Sequence, residues 1–213
     1  MDTGLLNGVS HMRQSTVRIQ GSKTIYFDPY DIKGEPGDAD IIFISHSHYD
    51  HFSVKDIKKV MKSGTILILP GDCSRKAVKE GLASVFTVCP SQNYEVEGLK
   101  FSTVPAYNMN KKFHPKNSDW VGYILNINDA AFYFAGDTDS IPEMKGVKAD
   151  VIFLPVGGTY TMNWREAVDA ANIIHPKVAV PIHFKDVVGS MDDARNFIDG
   201  IDSTIRGIIL KTQ

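Results

Sequence analysis

Short runs of apolar and β-branched residues recur along the whole chain, and turn-forming pairs such as Gly21-Ser22 and Asn128-Asp129 separate them. Runs of this length and composition are typical of β-strands. The pattern predicts strands at Val17–Gln20, Thr24–Asp28, Ile41–Ser45, Thr65–Pro70, Val85–Val88, Leu99–Val104, Val121–Ile127, Ala131–Ala135, Val151–Pro155, Val178–Ile182 and Gly207–Leu210.

Helical periodicity appears between some of these strands. Ser53 and Asp56 have the spacing of a helix capping box and precede an apolar stripe, which predicts a helix over Ser53–Lys62. Proline disfavours helical backbone in the residue before it, so a helix that carries Trp164 should end before Pro176. With the Ser53 helix this makes four predicted helices, the others running from near Asp72 to Gly81, from Trp164 to Ile174 and from Met191 to about Ile198.

The order of these elements defines the fold class. Strands come in consecutive runs in both halves of the chain, with helices interspersed, which is neither strict βαβ alternation nor an all-β pattern. Two mixed sheets packed face to face, with helices on the outer faces, account for this order. We therefore predict an α/β fold, a four-layer αββα sandwich.

Composition adds limits to this picture. The chain has 213 residues, of which 43% are hydrophobic and 23% are charged, and its formal net charge is -2. This size predicts a single domain spanning residues 1–213. The charge balance gives no reason to expect nucleic acid or an anionic membrane as the main partner. The longest apolar stretches are strand-sized, so no membrane span is expected.

Two features favour a reducing, cytoplasmic location. Cys73 and Cys89 have neither C-x-x-C spacing nor the density of a disulfide scaffold. The first residues, MDTGLLNGVSHMRQ, lack the basic segment followed by an apolar one that marks a signal peptide. The oligomeric state has no sequence signal.

The densest candidate chemistry is the H-x-H-x-D-H motif of His46, His48, Asp50 and His51, which follows an apolar run. Side chains alternate along an extended backbone, so His46 and His48 should lie on the same side and bind one ion. Asp50 and His51 follow where the chain turns, and they can face a second ion. The alternative is a solvated histidine-rich loop, which seldom has this spacing directly after a buried strand.

This motif resembles the signature of the metallo-β-lactamase-fold hydrolases, and the chain is most similar to their lactonase-like and N-acyl-phosphatidylethanolamine phospholipase D-like branch. The family's later Gly-Asp aspartate matches Asp137 in FYFAGDTD, and its last histidine matches His183 in VAVPIHF. Its strand ending in Asp-Pro matches Asp28 in IYFDPY. The resemblance implies the metallo-β-lactamase fold and a supporting role for Asp28 behind the metal ligands.

One element departs from the family pattern. The resemblance places a further histidine near Tyr107 or Asn108, and neither residue is one. His114 is the nearest candidate, and a loop that curls back would bring it to the same ion. In the alternative, the first ion has only two imidazoles, with the amide oxygen of Asn108 as a weak ligand, and the site holds one metal.

The resemblance implies two divalent ions. His46, His48 and His114 would bind one, Asp50, His51 and His183 the other, and Asp137 would bridge them. Nitrogen and carboxylate donors favour Zn(II), with Mn(II), Fe(II) or Ni(II) as alternatives. A metal-bound hydroxide, formed when the catalytic Asp50 orients a water and takes up its proton, would then cleave an ester, lactone or phosphodiester of a small molecule.

Other possibilities stay open at the sequence level. Lys111, Lys112 and Lys116 flank His114 and would attract a phosphorylated substrate, although a solvated basic loop explains them equally well. The protein could instead be a nucleic-acid phosphodiesterase, which the near-neutral charge disfavours. A third alternative is a non-catalytic ligand-binding protein with a degenerate metal site. Asp139 and the turn before Tyr160 allow either a site role or a purely structural one.

Overall fold

The chain divides into two compact units, each built on one mixed sheet. In the computed structural model, residues 4–82 and 84–211 are described. The first unit contains the chain up to Cys89, and the second contains Pro90–Leu210. Among the described residues, each unit carries two α-helices beside its sheet.

The first unit has a six-stranded sheet in the order β1-β2-β3-β4-β5-β6. Strands β1 to β3 pair antiparallel, and β3 to β6 pair parallel. Parallel neighbours need crossover connections, and the helices α1 and α2 supply two of them. The elements are β1 Val9–His11, β2 Val17–Gln20, β3 Thr24–Phe27, β4 Ala39–Phe43, α1 Val54–Val60, β5 Met61–Pro70, α2 Gly71–Lys79 and β6 Val85–Val88.

The second unit has a seven-stranded sheet in the order β13-β12-β11-β10-β9-β8-β7. Here β7 to β10 pair antiparallel, and β10 to β13 pair parallel. The elements are β7 Asn93–Val96, β8 Leu99–Pro105, β9 Val121–Ile127, β10 Ala130–Phe134, β11 Val151–Pro155, α3 Trp164–Ile174, β12 Val178–Ile182, α4 Met191–Gly200 and β13 Arg206–Gly207. Short 3₁₀ helices occur at Gly4–Leu6, Lys116–Ser118 and Pro142–Gly146.

Each unit has its own hydrophobic core between its sheet and its helices. In the first unit, Ile42 and Leu67 of the sheet pack with Ile57 of α1 and Ala77 of α2. In the second, the core joins β10, β11 and β12 to α3 and α4. Apolar burial of this kind is the main stabilising contribution to folding, and it makes the strand ends a rigid support for side chains.

The predicted α/β class with two mixed sheets is confirmed, as are the predicted helices with ends shifted by one or two residues. Ser53 caps α1, since its side chain accepts a hydrogen bond from the Asp56 amide. Strand β4 was predicted to reach Ser45 but ends at Phe43, because the Ser45 amide turns aside to Asp28.

Three strand predictions were incomplete or wrong. β1 was missed because it is only three residues long. β7 was missed because only Val96 of its four residues is buried. At the other end of the second sheet, the predicted strand Gly207–Leu210 is reduced to Arg206–Gly207, an edge strand that pairs with β12.

In the part of the chain that the structure describes, every helix falls short of the length and apolar character needed to cross a membrane.

Candidate metal centre

Histidine and aspartate side chains, the residue types that commonly bind metals, lie at the carboxyl ends of strands in both units. We call His46, His48, Asp50 and His51 the first ligand cluster, and they follow β4. We call His114, Asp137 and His183 the second ligand cluster, and they follow β8, β10 and β12. Carboxyl ends of parallel strands are where α/β sheets commonly place their ligands.

In the first ligand cluster, His46 and His48 lie side by side as the alternation predicted. The Nε2 atom of His46 is 3.0 Å from Nδ1 of His48. Zinc–nitrogen bonds of about 2.0–2.1 Å at tetrahedral angles place two ligand nitrogens roughly 3.3 Å apart. A small adjustment would therefore let both imidazoles bind one cation.

Asp28 supports this cluster from behind. Its backbone has a positive φ of 43°, and its carboxylate accepts hydrogen bonds from the Ser45 amide at 2.7 Å and the Ser45 hydroxyl at 2.5 Å. The same carboxylate lies 2.7 Å from Nδ1 of His51. Burial raises the pKa of the Asp28 carboxyl, while the neighbouring His51 and Ser45 act in the opposite direction.

These contacts fix which nitrogen each imidazole presents. The single hydroxyl proton of Ser45 goes to Asp28, so its oxygen accepts from Nδ1–H of His46, which is 2.8 Å away. His51 donates its own Nδ1–H to Asp28. In both rings Nε2 is therefore the nitrogen on the side opposite Ser45 and Asp28. This is the arrangement found when a carboxylate orients a metal-binding histidine.

Asp50 is held by a residue that the sequence did not single out. Its Oδ2 atom accepts a hydrogen bond of 3.0 Å from Nε2 of Gln14. Gln14 is fully buried in the turn after β1, with a positive φ of 48°, and its carbonyl oxygen lies 2.8 Å from Nε2 of His11. The same Asp50 oxygen lies 3.5 Å from Nε2 of His51.

The second ligand cluster is centred on Asp137. Its Oδ2 atom lies 3.1 Å from Nε2 of His183 and 3.3 Å from Nε2 of His114. All three side chains are buried. The loop after β8 therefore does curl back, and it brings His114 to the aspartate that the Gly-Asp motif predicted.

Local backbone geometry makes this approach possible. His183 has a positive φ of 55°, so the chain turns sharply as it leaves β12. Its carbonyl oxygen passes so close to Gly157 that a Cβ atom there would lie only 2.3 Å away. Only glycine leaves room for this contact, which gives the Gly157–Tyr160 turn a structural role beside the cluster.

Asn108 lies where the family resemblance expected a histidine, and it contacts His114. Its Oδ1 atom accepts from the His114 amide at 2.9 Å and lies 3.2 Å from Nδ1 of the ring. Its Nδ2 atom donates to Oδ1 of Asp139 at 3.1 Å and to the Tyr160 carbonyl at 2.9 Å. Asp139 is thus a buried support of this loop.

The donor set of both clusters suits divalent cations. Imidazole nitrogen and carboxylate oxygen bind zinc and its neighbours, and thiolate is absent from both clusters. Cys73 belongs to the core of the first unit, where burial raises the pKa of its thiol. In each cluster an imidazole whose Nδ1 faces acceptors turns Nε2 toward a carboxylate oxygen, at His51 and Asp50 and at His114 and Asp137.

The chain is similar to known proteins along most of its length. The family described as a beta-lactamase superfamily domain matches residues 9–183. A UPF0173 metal-dependent hydrolase of Listeria monocytogenes serotype 4b is 30% identical, over 95% of this chain and 96% of that protein.

Two solved structures are similar along almost their whole length. A crystal structure assigned as a metal-dependent hydrolase from Parabacteroides distasonis has a TM-score of 0.80 and 30% identity, over 96% of this chain and 93% of its own. A metallo hydrolase from Ignicoccus hospitalis has a TM-score of 0.79 at 20% identity, over 95% and 94% of the two chains. At that identity the second likeness shows the fold alone.

Proposed function

The chain belongs to the beta-lactamase superfamily and is a metal-dependent hydrolase of the UPF0173 family with the metallo-β-lactamase fold, and we propose that it cleaves an ester or lactone of a small molecule. A phosphodiester is the second bond type compatible with this chemistry. The family match runs through residues from both units, which supports a single hydrolase domain.

We further propose that the two ligand clusters serve one pair of divalent ions. His46, His48 and His114 would bind one ion, Asp50, His51 and His183 the other, and Asp137 both. The support is the family resemblance together with the match over residues 9–183, which contains every one of these positions. Zn(II) is the first choice of metal, and Mn(II), Fe(II) and Ni(II) follow.

One observation carries the metal proposal. A neutral His114 that donates its Nδ1 proton to the oxygens around it directs the lone pair of Nε2 at Asp137 Oδ2, 3.3 Å away. A lone pair and a carboxylate oxygen repel each other, and a cation bound to both removes the repulsion. His51 repeats the arrangement toward Asp50.

The residues of this chain have distinct tasks in hydrolysis. Bound divalent ions would supply Lewis acidity, which lowers the pKa of a bound water to about 7 and polarises the scissile carbonyl or phosphoryl oxygen. Asp50 orients the attacking water and accepts its proton at the carboxylate. Gln14 fixes the plane of that carboxylate through its hydrogen bond to Oδ2.

Two of the three lysines beside His114 are paired within the protein. Lys111 forms an ion pair of 2.5 Å with Asp139, and Lys116 forms one of 3.1 Å with Glu143. Their charges are therefore largely neutralised within the protein. This supports ester or lactone cleavage, in keeping with the lactonase-like branch that the motifs resemble, in a cytoplasmic setting.

The test combines metal content with a substrate panel. Metal-stripped and zinc-reconstituted protein are assayed on p-nitrophenyl esters, lactones and bis(p-nitrophenyl) phosphate, together with His48→Ala and His183→Ala. We expect two equivalents of zinc per chain and ester or lactone hydrolysis that stripping or either variant abolishes.

The matched control is His175→Asn, a histidine outside both clusters whose left-handed conformation asparagine tolerates. This variant should retain activity and metal content. Hydrolysis that survives metal removal would contradict the proposal, as would a protein that binds no zinc after reconstitution.

A further inference from the structure

The loop that carries His114 is closed by its own hydrogen bonds. The backbone amide of Asn108 donates to the backbone carbonyl of His114 at 2.7 Å. The backbone amide of His114 donates to the side-chain oxygen Oδ1 of Asn108 at 2.9 Å. These two bonds join the ends of a segment that lies outside the strands. They fix the main chain of His114 without yet fixing its ring.

The side-chain amide of Asn108 has only one chemically reasonable orientation. Its Nδ2 end faces two acceptors, Oδ1 of Asp139 and the Tyr160 carbonyl, and its Oδ1 end faces a donor, the His114 amide. A flipped amide would set N–H against N–H at one end and oxygen against two oxygens at the other. The hydrogen-bond network therefore assigns Oδ1 to the side of His114.

This assignment determines the state of the imidazole. Nδ1 of His114 lies 3.2 Å from Oδ1 of Asn108 and 3.2 Å from the Tyr160 carbonyl oxygen. Neither oxygen has a proton to give, so Nδ1 must be the donor. In a neutral imidazole the other nitrogen then carries the lone pair, and here that nitrogen is the Nε2 that faces Asp137.

We propose that Asn108 is a positioning residue, which with the Tyr160 carbonyl holds His114 in the Nδ1-protonated tautomer and so reserves Nε2 for a metal ion. The inference rests on the proposed function for the identity of that ligand. It replaces the alternative in which the Asn108 oxygen is itself a weak ligand, because both ends of its amide are committed to other partners.

The supports of His114 are themselves anchored. Asp139 accepts hydrogen bonds from Asn108 Nδ2, the Met109 amide and Lys111 Nζ, so the amide cannot swing away without breaking a buried network. The Tyr160 carbonyl is aimed by a turn in which Thr159 has a positive φ of 52°. Such a conformation is an outlier for a β-branched residue, and outliers of this kind cluster at functional sites.

The direct test is the tautomer of His114 in the folded, metal-free wild-type protein. Long-range ¹H–¹⁵N NMR at about pH 8, where an ordinary imidazole is neutral, distinguishes a protonated Nδ1 from a protonated Nε2. The signals of His114 are assigned by their loss in His114→Gln. We expect a protonated Nδ1, and a ring whose Nδ1 carries no proton would overturn the proposal without any change at Asn108.

One variant then tests the role of Asn108. Asn108→Leu removes the acceptor, and we expect loss of the Nδ1-protonated signature together with zinc affinity about 10- to 100-fold weaker by chelator competition. Asn126→Leu, at an exposed asparagine of β9, is the matched control and should change neither reading.

The outcomes separate this inference from the proposed function. A folded Asn108→Leu protein that keeps both the tautomer and wild-type zinc affinity would refute the positioning role. Failure of the wild-type protein to bind zinc or hydrolyse any substrate would refute the proposed function. The tautomer reading on the wild-type protein would still decide the role of Asn108 if Asn108→Leu did not fold.

Discussion

The two ligand clusters are built in opposite ways. The first ligand cluster comes from one short segment, residues 46–51, behind a single strand. The second ligand cluster takes one residue from each of three segments, and these meet only because β8, β10 and β12 belong to one sheet. A local cluster is visible as a sequence motif, whereas a dispersed cluster exists only once its sheet has formed.

The clusters agree in how they hold their imidazoles. His51 gives its Nδ1 proton to the carboxylate of Asp28, and His114 gives its Nδ1 proton to the amide oxygen of Asn108 and a backbone carbonyl. One support is anionic and the other is neutral. Each ring therefore has its Nδ1 on the supporting group and its Nε2 on the opposite side, although the support carries a charge in one cluster and none in the other.

The largest effect should come from the second ligand cluster, where one carboxylate contacts two imidazoles. We expect Asp137→Ala to lower kcat/KM by at least about 10³-fold, roughly 4 kcal/mol of transition-state stabilisation. Zinc content should fall in the same preparation, as measured by elemental analysis. If the variant kept both its zinc and its turnover, the second cluster would not be a metal site.

In the first ligand cluster, Asp50→Asn should act mainly on turnover. Loss of a general base costs about 10²- to 10⁴-fold, so kcat should fall by that order while KM changes little. The measurement is steady-state kinetics on the best substrate of the ester and lactone panel. An unchanged kcat would remove Asp50 from the catalytic role and leave it as a ligand at most.

Much of this comparison follows from the sequence, and the rest does not for physical reasons. β11 was predicted to the residue because a continuous apolar run marks a strand buried on both faces. The role of Gln14 could not be predicted from the sequence. Its contact with Asp50 depends on the turn between β1 and β2, and β1 itself is too short to recognise. Asn108 was noticed only as a missing histidine, because its supporting role depends on contacts with Asp139 and Tyr160.

Asp28 and Asn108, which support the imidazoles of the two clusters, allow a direct comparison with a smaller expected effect. Asp28→Asn keeps the shape of the side chain but removes its charge behind His51, and we expect zinc affinity about 10- to 100-fold weaker. Chelator competition on this variant, beside Asn108→Leu, compares an anionic with a neutral support. Wild-type affinity in Asp28→Asn would mean that the charge contributes nothing to ligand orientation.

The smallest effect concerns the stability of the segment behind the first ligand cluster. Asp56 accepts hydrogen bonds from Ser53 and Lys59 and from the amides of Asp31 and Ile32, which follow Asp28 in the chain. Burial raises the pKa of the Asp56 carboxyl, but these bonds outweigh it and leave the pKa below the ordinary value of 3.8. Folding therefore favours the ionised form.

The stabilisation from Asp56 is present at neutral pH and is lost as the pH falls below 3.8 through the lowered pKa. Asp56→Asn should cost about 1 kcal/mol of unfolding free energy at neutral pH, and the difference from wild type should shrink toward zero in acid. Urea unfolding of both proteins across this pH range is the measurement. A difference independent of pH would show that shape, and not charge, is what Asp56 contributes.

The most direct test of the central claim is an anomalous-scattering experiment at the zinc edge on crystals of the zinc-loaded protein. The account predicts two ions per chain, with Asp137 bound to both and with ligands from the first and the second cluster on each. Zinc bound by one cluster alone, or a map without zinc at either cluster, would contradict it.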